Sequence, residues 1–255
     1  MNILTDIGLT QYLYILFVTG IAGIIHGAIG LGFPMIATPL IAIFLDVRLA
    51  ILVTLLPTVT VNLASIWGGF DYRNSLNTYR VLFLSAFVGS LLGSYMLATM
   101  DPSPFRLILA LLILSYLWTT FSGNSTGAWI PKKGLMTMAA FGFASGVSAG
   151  ITNVMVAILI VYFLSLNMEK NRMIPILNTC FLIGKLTQIL VLSVTGFVGW
   201  TLLFQTLPLA LTAFLALIMG KRLGQHMDAE MYRKILYGLL GILAAILIYQ
   251  FFTDR

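Results

Sequence analysis

A chain of 255 residues, 60% of them hydrophobic and only 9% charged, carries more apolar surface than a soluble core of that length can bury, which excludes a soluble enzyme or binding domain. The net charge of +6 does not indicate nucleic acid, because the basic residues lie in short loops between apolar runs rather than in one tail or patch. A single cysteine, Cys180, excludes an intrachain disulfide.

The N-terminal stretch MNILTDIGLTQ contains Asp6 and no Lys or Arg, unlike the basic start of a cleavable signal peptide, so the first apolar run is read as a permanent helix. From there, apolar segments are predicted at about 12–32, 33–45, 48–69, 78–99, 104–121, 135–151, 152–166, 174–195, 199–220 and 231–252. The fold class is therefore an all-α integral membrane protein of about ten hydrophobic segments. The polar stretch SGNSTGAWIPKKG, residues 122–134, divides them into two groups of five. An N-terminal membrane repeat over 1–125 and a C-terminal one over 126–255 then form one transmembrane domain. His226 lies in the charged loop KRLGQHMDAEMYRK, where solvation is the simplest reading.

Ten alternating crossings put Arg48, Arg106 and Arg255 on one side and ten Lys or Arg on the other, with Lys185 alone inside a segment. Short cytoplasmic loops are rich in Lys and Arg, so both termini are expected outside the cytoplasm. An odd number of crossings per half makes the halves opposite in orientation. They also align: IIHGAIGLGFPMIATPLIAIFL (24–45) matches FASGVSAGITNVMVAILIVYFL (143–164) without gaps at an offset of 119 residues. Pro57 with Asn62 in one half answers Pro175 with Asn178 in the other. Tyr12 to Leu45 would make ~51 Å of helix, too long for one pass, so each half holds either two passes or a re-entrant hairpin there. Inverted repeats with short, interrupted segments at matching positions point to a secondary transporter whose site lies where the breaks meet.

The glycine-rich HGAIGLGFPMIATPLI after the first helix, its echo SGVSAGITNVMVAILI, the two-half layout and the length resemble the TauE/SafE family of sulfite and organosulfonate transporters over essentially the whole chain. The resemblance implies movement, by export or uptake, of a small sulfur-containing or related anion across a bacterial inner membrane. It implies no cofactor and no metal.

Lys185 is the first candidate for contact with that anion. It falls near the midpoint of 174–195, where a lysine costs ~2.5–3.5 kcal/mol on insertion scales. All eight acidic residues (Asp6, Asp46, Asp71, Asp101, Glu169, Asp228, Glu230 and Asp254) lie in loops, tails or segment ends, so none compensates it. An anionic substrate is one partner; carbonyls, polar side chains and water are the others. Burial disfavours the ammonium form and a bound anion restores it, which makes proton coupling through the same group an expectation.

The two breaks add donors. Pro34, beside Gly32, suits the first position of a short helix, and Thr152 or Asn153 suits an N-cap, so each break would offer unpaired N–H groups to sulfonate or carboxylate oxygens. Thr54, Thr58 and Asn62 are spaced four apart on a segment kinked by Pro57, and Asn178 lies seven residues before Lys185, again on one face. Asn62, Asn178 and Thr58 are candidates to hydrogen-bond the anion, with Gln188 one turn beyond Lys185. His26 is a candidate to bind substrate or relay protons, or else a satisfied structural histidine.

Gly23 with Gly27, and Gly89 with Gly93, have the small-xxx-small spacing of close helix approach. An intramembrane enzyme is disfavoured, since there is no His/Glu zinc motif, no paired intramembrane aspartate and no acid to orient a Ser/His pair. The remaining alternatives are a transporter of small carboxylates or another anion, and a non-transporting scaffold in which Lys185 meets another protein. The expected partners are the lipid bilayer and a small anion, and oligomerisation of the chain with itself stays open.

Overall fold

The computed structural model describes residues 7–66, 76–121, 134–224 and 229–253, and all regular structure among them is helical. In chain order the helices are α1 (Leu9–Ile29), α2 (Phe33–Ala42), α3 (Val47–Val53), α4 (Leu55–Ile66), α5 (Arg80–Thr99) and α6 (Ser103–Phe121). They continue as α7 (Leu135–Thr152), α8 (Val156–Ser165), α9 (Lys170–Val194), α10 (Trp200–Gln205), α11 (Leu207–Gly224) and α12 (Ala229–Thr253). Asp6, the joint over 122–133, Arg73 and His226 lie outside the described residues.

Five helices, α1, α5, α7, α9 and α11, are long and apolar enough to cross a membrane, and α3 with α4, bent by 48°, would make a sixth span. The remaining predicted segments are shorter apolar helices. Those expected at 33–45 and 152–166 prove to be α2 and α8, ten residues each, or ~15 Å, about half a hydrocarbon layer. Both double back on the helix before them. The Tyr14 hydroxyl donates to the Leu40 carbonyl at 2.6 Å and its ring meets Phe44 edge-on at 5.0 Å, which fixes α2 antiparallel to α1. The Phe141 and Tyr162 rings stack at 5.3 Å and do the same for α7 and α8.

The reversals come from left-handed backbone. Gly30 (φ 89°) and Gly32 (φ 104°) end α1 and start α2, whereas Asn153 (φ 66°) ends α7, asparagine being the non-glycine residue that best tolerates this region. The bend between α3 and α4 has a proline cause: Pro57, in the first turn of α4, brings no N–H to the preceding turn. The Thr54 hydroxyl bonds the Ala50 carbonyl at 2.8 Å beside that bend.

Long contacts are made backbone to backbone. α5 lies along α7 and α1 along α11, each pair parallel. A Cβ on Gly27 would lie 2.2 Å from the Leu217 oxygen, and one on Gly89 2.1 Å from the Phe143 oxygen, so the glycine spacing read from the sequence does place these helices in closest approach. Around those pairs, α4 packs on α9 and α6 on α12, α4 touches α11 as α9 touches α5, and α2 touches α12 as α8 touches α6.

Several helix boundaries are spaced differently from the 119-residue sequence alignment. The ends of α1 and α7, both ends of α2 and α8, and the starts of α3 and α9 are all separated by 123 residues rather than 119. A four-residue slip is about one helical turn, which keeps every apolar residue on the same face, so hydropathy alone cannot detect it.

Candidate functional site

Lys185 and Gln188 sit one turn apart on α9, the central helix that packs on both α4 and α5. Lys185 is 2% exposed and its Nζ donates to the Asn153 Oδ1 and the Gln188 Oε1. Gln188 is anchored in turn, its Nε2 donating to the Gly150 carbonyl at 2.8 Å. Asn153 reaches into the other half: its Nδ2 donates to the hydroxyl oxygens of Thr38 on α2 and Thr54 at the α3–α4 bend, each at 3.0 Å. One buried network thus joins α9, the α7–α8 break, α2 and the α3–α4 bend. Both acceptors on Lys185 are neutral amides, so nothing in the network balances an ammonium charge.

The local roles at the breaks differ in detail from those expected. Neither Thr152 nor Asn153 is the N-cap of the short helix, because α8 starts only at Val156. Thr152 ends α7, donating to the Ser148 carbonyl at 2.9 Å and accepting from the Val154 N–H at 3.3 Å. Asn153 is the C-cap of α7, and that position frees its side chain for Lys185. At the first break α2 begins at Phe33, with Gly32 as N-cap and Pro34 second. Thr58 is turned to its own helix, its hydroxyl donating to the Thr54 carbonyl at 2.6 Å.

Asn178 uses both amide hydrogens on carbonyls, those of Gly30 and Ile174, each at 2.9 Å, and leaves its Oδ1 buried without a partner. Its free polar atom is therefore an acceptor, whereas an anion requires a donor. Asn62 is fully buried with neither amide atom partnered. His26 is 1% exposed; its Nδ1 accepts from the Phe33 N–H at 3.2 Å, and its Nε2 lies 2.9 Å from the Ser65 hydroxyl. A ring nitrogen that accepts carries no proton, so the ring is the neutral tautomer with Nε2–H facing Ser65. His26 thereby caps α2. His26→Ala should lower stability by ~1–3 kcal/mol through the stranded Phe33 N–H, read as a fall in melting temperature in detergent.

Thr38 escaped the sequence reading, and Thr54 was seen there only as part of a stripe. The available signal was Thr38 as the lone hydroxyl in FPMIATPLIA, between two prolines in a half-length helix. The φ of Asn153 gives a separate test: Asn153→Ala forces a Cβ without a compensating side chain into left-handed backbone, at ~1–2 kcal/mol, whereas Asn153→Gly does not. Both lose the bond to Lys185, so the glycine variant should melt higher than the alanine variant while the two share any functional defect.

With this geometry in place, one comparison decides the family: the model of Sulfite exporter TauE/SafE matches residues 15–247. The chain belongs to the TauE/SafE family. No curated protein and no solved structure gives a significant match. TauE/SafE proteins are membrane transporters, and the apolar helices make this one a multi-pass membrane protein. The Lys185 network lies within the matched region, on the breaks that the two halves of this TauE/SafE chain bring together.

Proposed function

We propose that this protein is a secondary exporter of a small sulfur-containing anion, such as sulfite or an organosulfonate, and that the anion binds at Lys185. The observation that carries the reading is a buried cationic side chain whose partners, Asn153 and Gln188, are both neutral. An ammonium has three donors and two are engaged, so an arriving oxyanion gains the third together with the uncompensated charge. An unprotonated amine has two N–H groups, enough for the same two acceptors. Lys185 therefore has a satisfied state with and without its proton, and one proton would travel with each anion bound. His26, held neutral as a helix cap, leaves that role to Lys185.

Alternating access between two inverted five-segment halves is the transport cycle that fits. Three features support it: the 123-residue spacing shared by the first helix boundaries of each half, the matching of the major helix pairs between halves, and the hairpin at each break. Counting the half-length returns, the chain traverses ten times and both ends lie on one side. Basic residues concentrate on the opposite side, which assigns that side to the cytoplasm, and the family points to a bacterial inner membrane.

The test is anion-dependent stabilisation of the purified protein. Sulfite, thiosulfate and sulfoacetate should raise the melting temperature saturably over chloride at equal ionic strength, and Lys185→Gln should abolish the rise. Equal stabilisation by acetate would widen the substrate class to carboxylates; a rise that persists in Lys185→Gln would move the site elsewhere.

A further inference from the structure

We propose that the groove between α4 and α11 binds one anionic phospholipid, with its phosphate on the Lys221 ammonium and an acyl chain laid along the apolar walls. The groove has a volume of about 510 Å³ and is walled by Val59 and Leu63 of α4 and by Phe214 and Ile218 of α11. Leu63 and Phe214 are exposed large apolar side chains. Thr60, which also lines the groove, donates its hydroxyl to the Leu56 carbonyl of its own helix at 3.0 Å. Among the described lining residues, Lys221 is therefore the one side chain that offers a ligand charge or a free donor.

The position of that lysine suits a lipid phosphate. α11 is long and apolar enough to cross a membrane, and Lys221 lies in its last turn, at the level of the headgroups. From there the groove runs back seven residues to Phe214, or ~10 Å along the helix, into the hydrocarbon. A lysine in a last turn ordinarily complements its own helix dipole. Here it reaches across the mouth of the groove instead, its Nζ donating to the Ala64 carbonyl of α4 at 3.2 Å. That acceptor is neutral, so the ammonium keeps its charge and two further donors. Arg222, in the same last turn, adds positive potential at this level.

The two ends of the groove select together for an amphiphile with a negative head. Acyl chains already surround membrane-crossing helices, so the apolar walls admit the chain of any lipid and prefer none. Preference comes from the headgroup. A phosphate with net negative charge gains a charge-assisted bond from Lys221, whereas a choline headgroup brings its own cation to the same place. A soluble anion would use the lysine and leave the walls unfilled. A lipid seated there touches α4 and α11 at once, so its binding should raise the melting temperature.

The experiment requires no transported anion, so it is independent of the site at Lys185. Full-length protein, delipidated in a neutral detergent, would be titrated with dioleoyl phosphatidylglycerol or dioleoyl phosphatidylcholine, following melting temperature and the lipid retained in native mass spectrometry. Wild type should be stabilised saturably by phosphatidylglycerol, with about one lipid retained and an apparent affinity roughly fivefold or more above phosphatidylcholine. Lys221→Gln should bring the two lipids level. Lys221→Arg should keep the preference, because a phosphate accepts from either cation. Ile218→Trp, which fills the groove, should weaken the binding of both lipids, and glycerol 3-phosphate, a headgroup without chains, should not stabilise. Equal affinity for the two lipids in wild type, or a preference that survives in Lys221→Gln, would overturn the inference. So would stabilisation by glycerol 3-phosphate that matches phosphatidylglycerol, which would assign Lys221 to a soluble phosphate. A wild-type dimer that Ile218→Trp dissociates would overturn it too, by giving the groove to a second copy of the chain.

Discussion

Gly146→Leu and Gly89→Val are expected to abolish folded protein. A Cβ on Gly146 would sit 2.2 Å from the Ala86 oxygen and 2.8 Å from the Ser90 nitrogen, and one on Gly89 2.1 Å from the Phe143 oxygen. The obstacles are backbone atoms, so no flexible side-chain tip can give way; α5 and α7 must separate along their whole length. Overpacking a core by a methylene or two costs ~1–3 kcal/mol, and these substitutions exceed that by forcing helices apart rather than side chains. Gly238→Ala is the control, because nothing lies within 4 Å of its added Cβ. Fluorescence-detected size exclusion should give no monodisperse peak for the first two and a wild-type peak for the third. A wild-type profile for Gly146→Leu would mean that the α5–α7 contact is not the one described.

Much of this arrangement could be read from the sequence because lipid leaves few choices. Backbone polar groups must be satisfied within helices, so apolar runs located α1, α5, α7, α9 and α11. The breaks were legible in Gly30, Gly32 and Pro34, and the solitary lysine in an acid-free interior marked Lys185. Other features were not legible, for definite physical reasons. That residues 33–42 pack back along α1 as a ten-residue helix depends on Tyr14 reaching Leu40, a contact between residues 26 apart that no local pattern encodes. The 123-residue spacing of the first helix boundaries was not legible either, since it differs from the 119-residue sequence alignment by about one turn, which preserves hydropathy. Which end of the Asn178 amide stays free was not legible, because it depends on which carbonyls the side chain meets, here those of Gly30 and Ile174. Thr38 and Thr54 joined the Lys185 network only through Asn153, whose side chain is placed by its left-handed backbone.

Lys185→Gln should reduce anion flux by at least 100-fold, and Lys185→Ala by as much or more. Gln retains hydrogen-bonding capacity toward Asn153 and Gln188, so the fold should persist, and what disappears is the charge. Losing a charge-assisted bond to a buried oxyanion removes ~3 kcal/mol or more, and a tenfold change in affinity corresponds to ~1.4 kcal/mol. Lys185→Arg should not rescue, because a planar guanidinium cannot occupy the compact position between two amide oxygens or shed its proton. The most direct measurement is flux of labelled sulfite and sulfoacetate in proteoliposomes, comparing wild type with Lys185→Gln at equal reconstituted amounts and at two pH values. Saturable wild-type flux that responds to a pH gradient, and its loss in Lys185→Gln, is the predicted result. Wild-type flux undiminished in Lys185→Gln would show that the anion does not bind at Lys185.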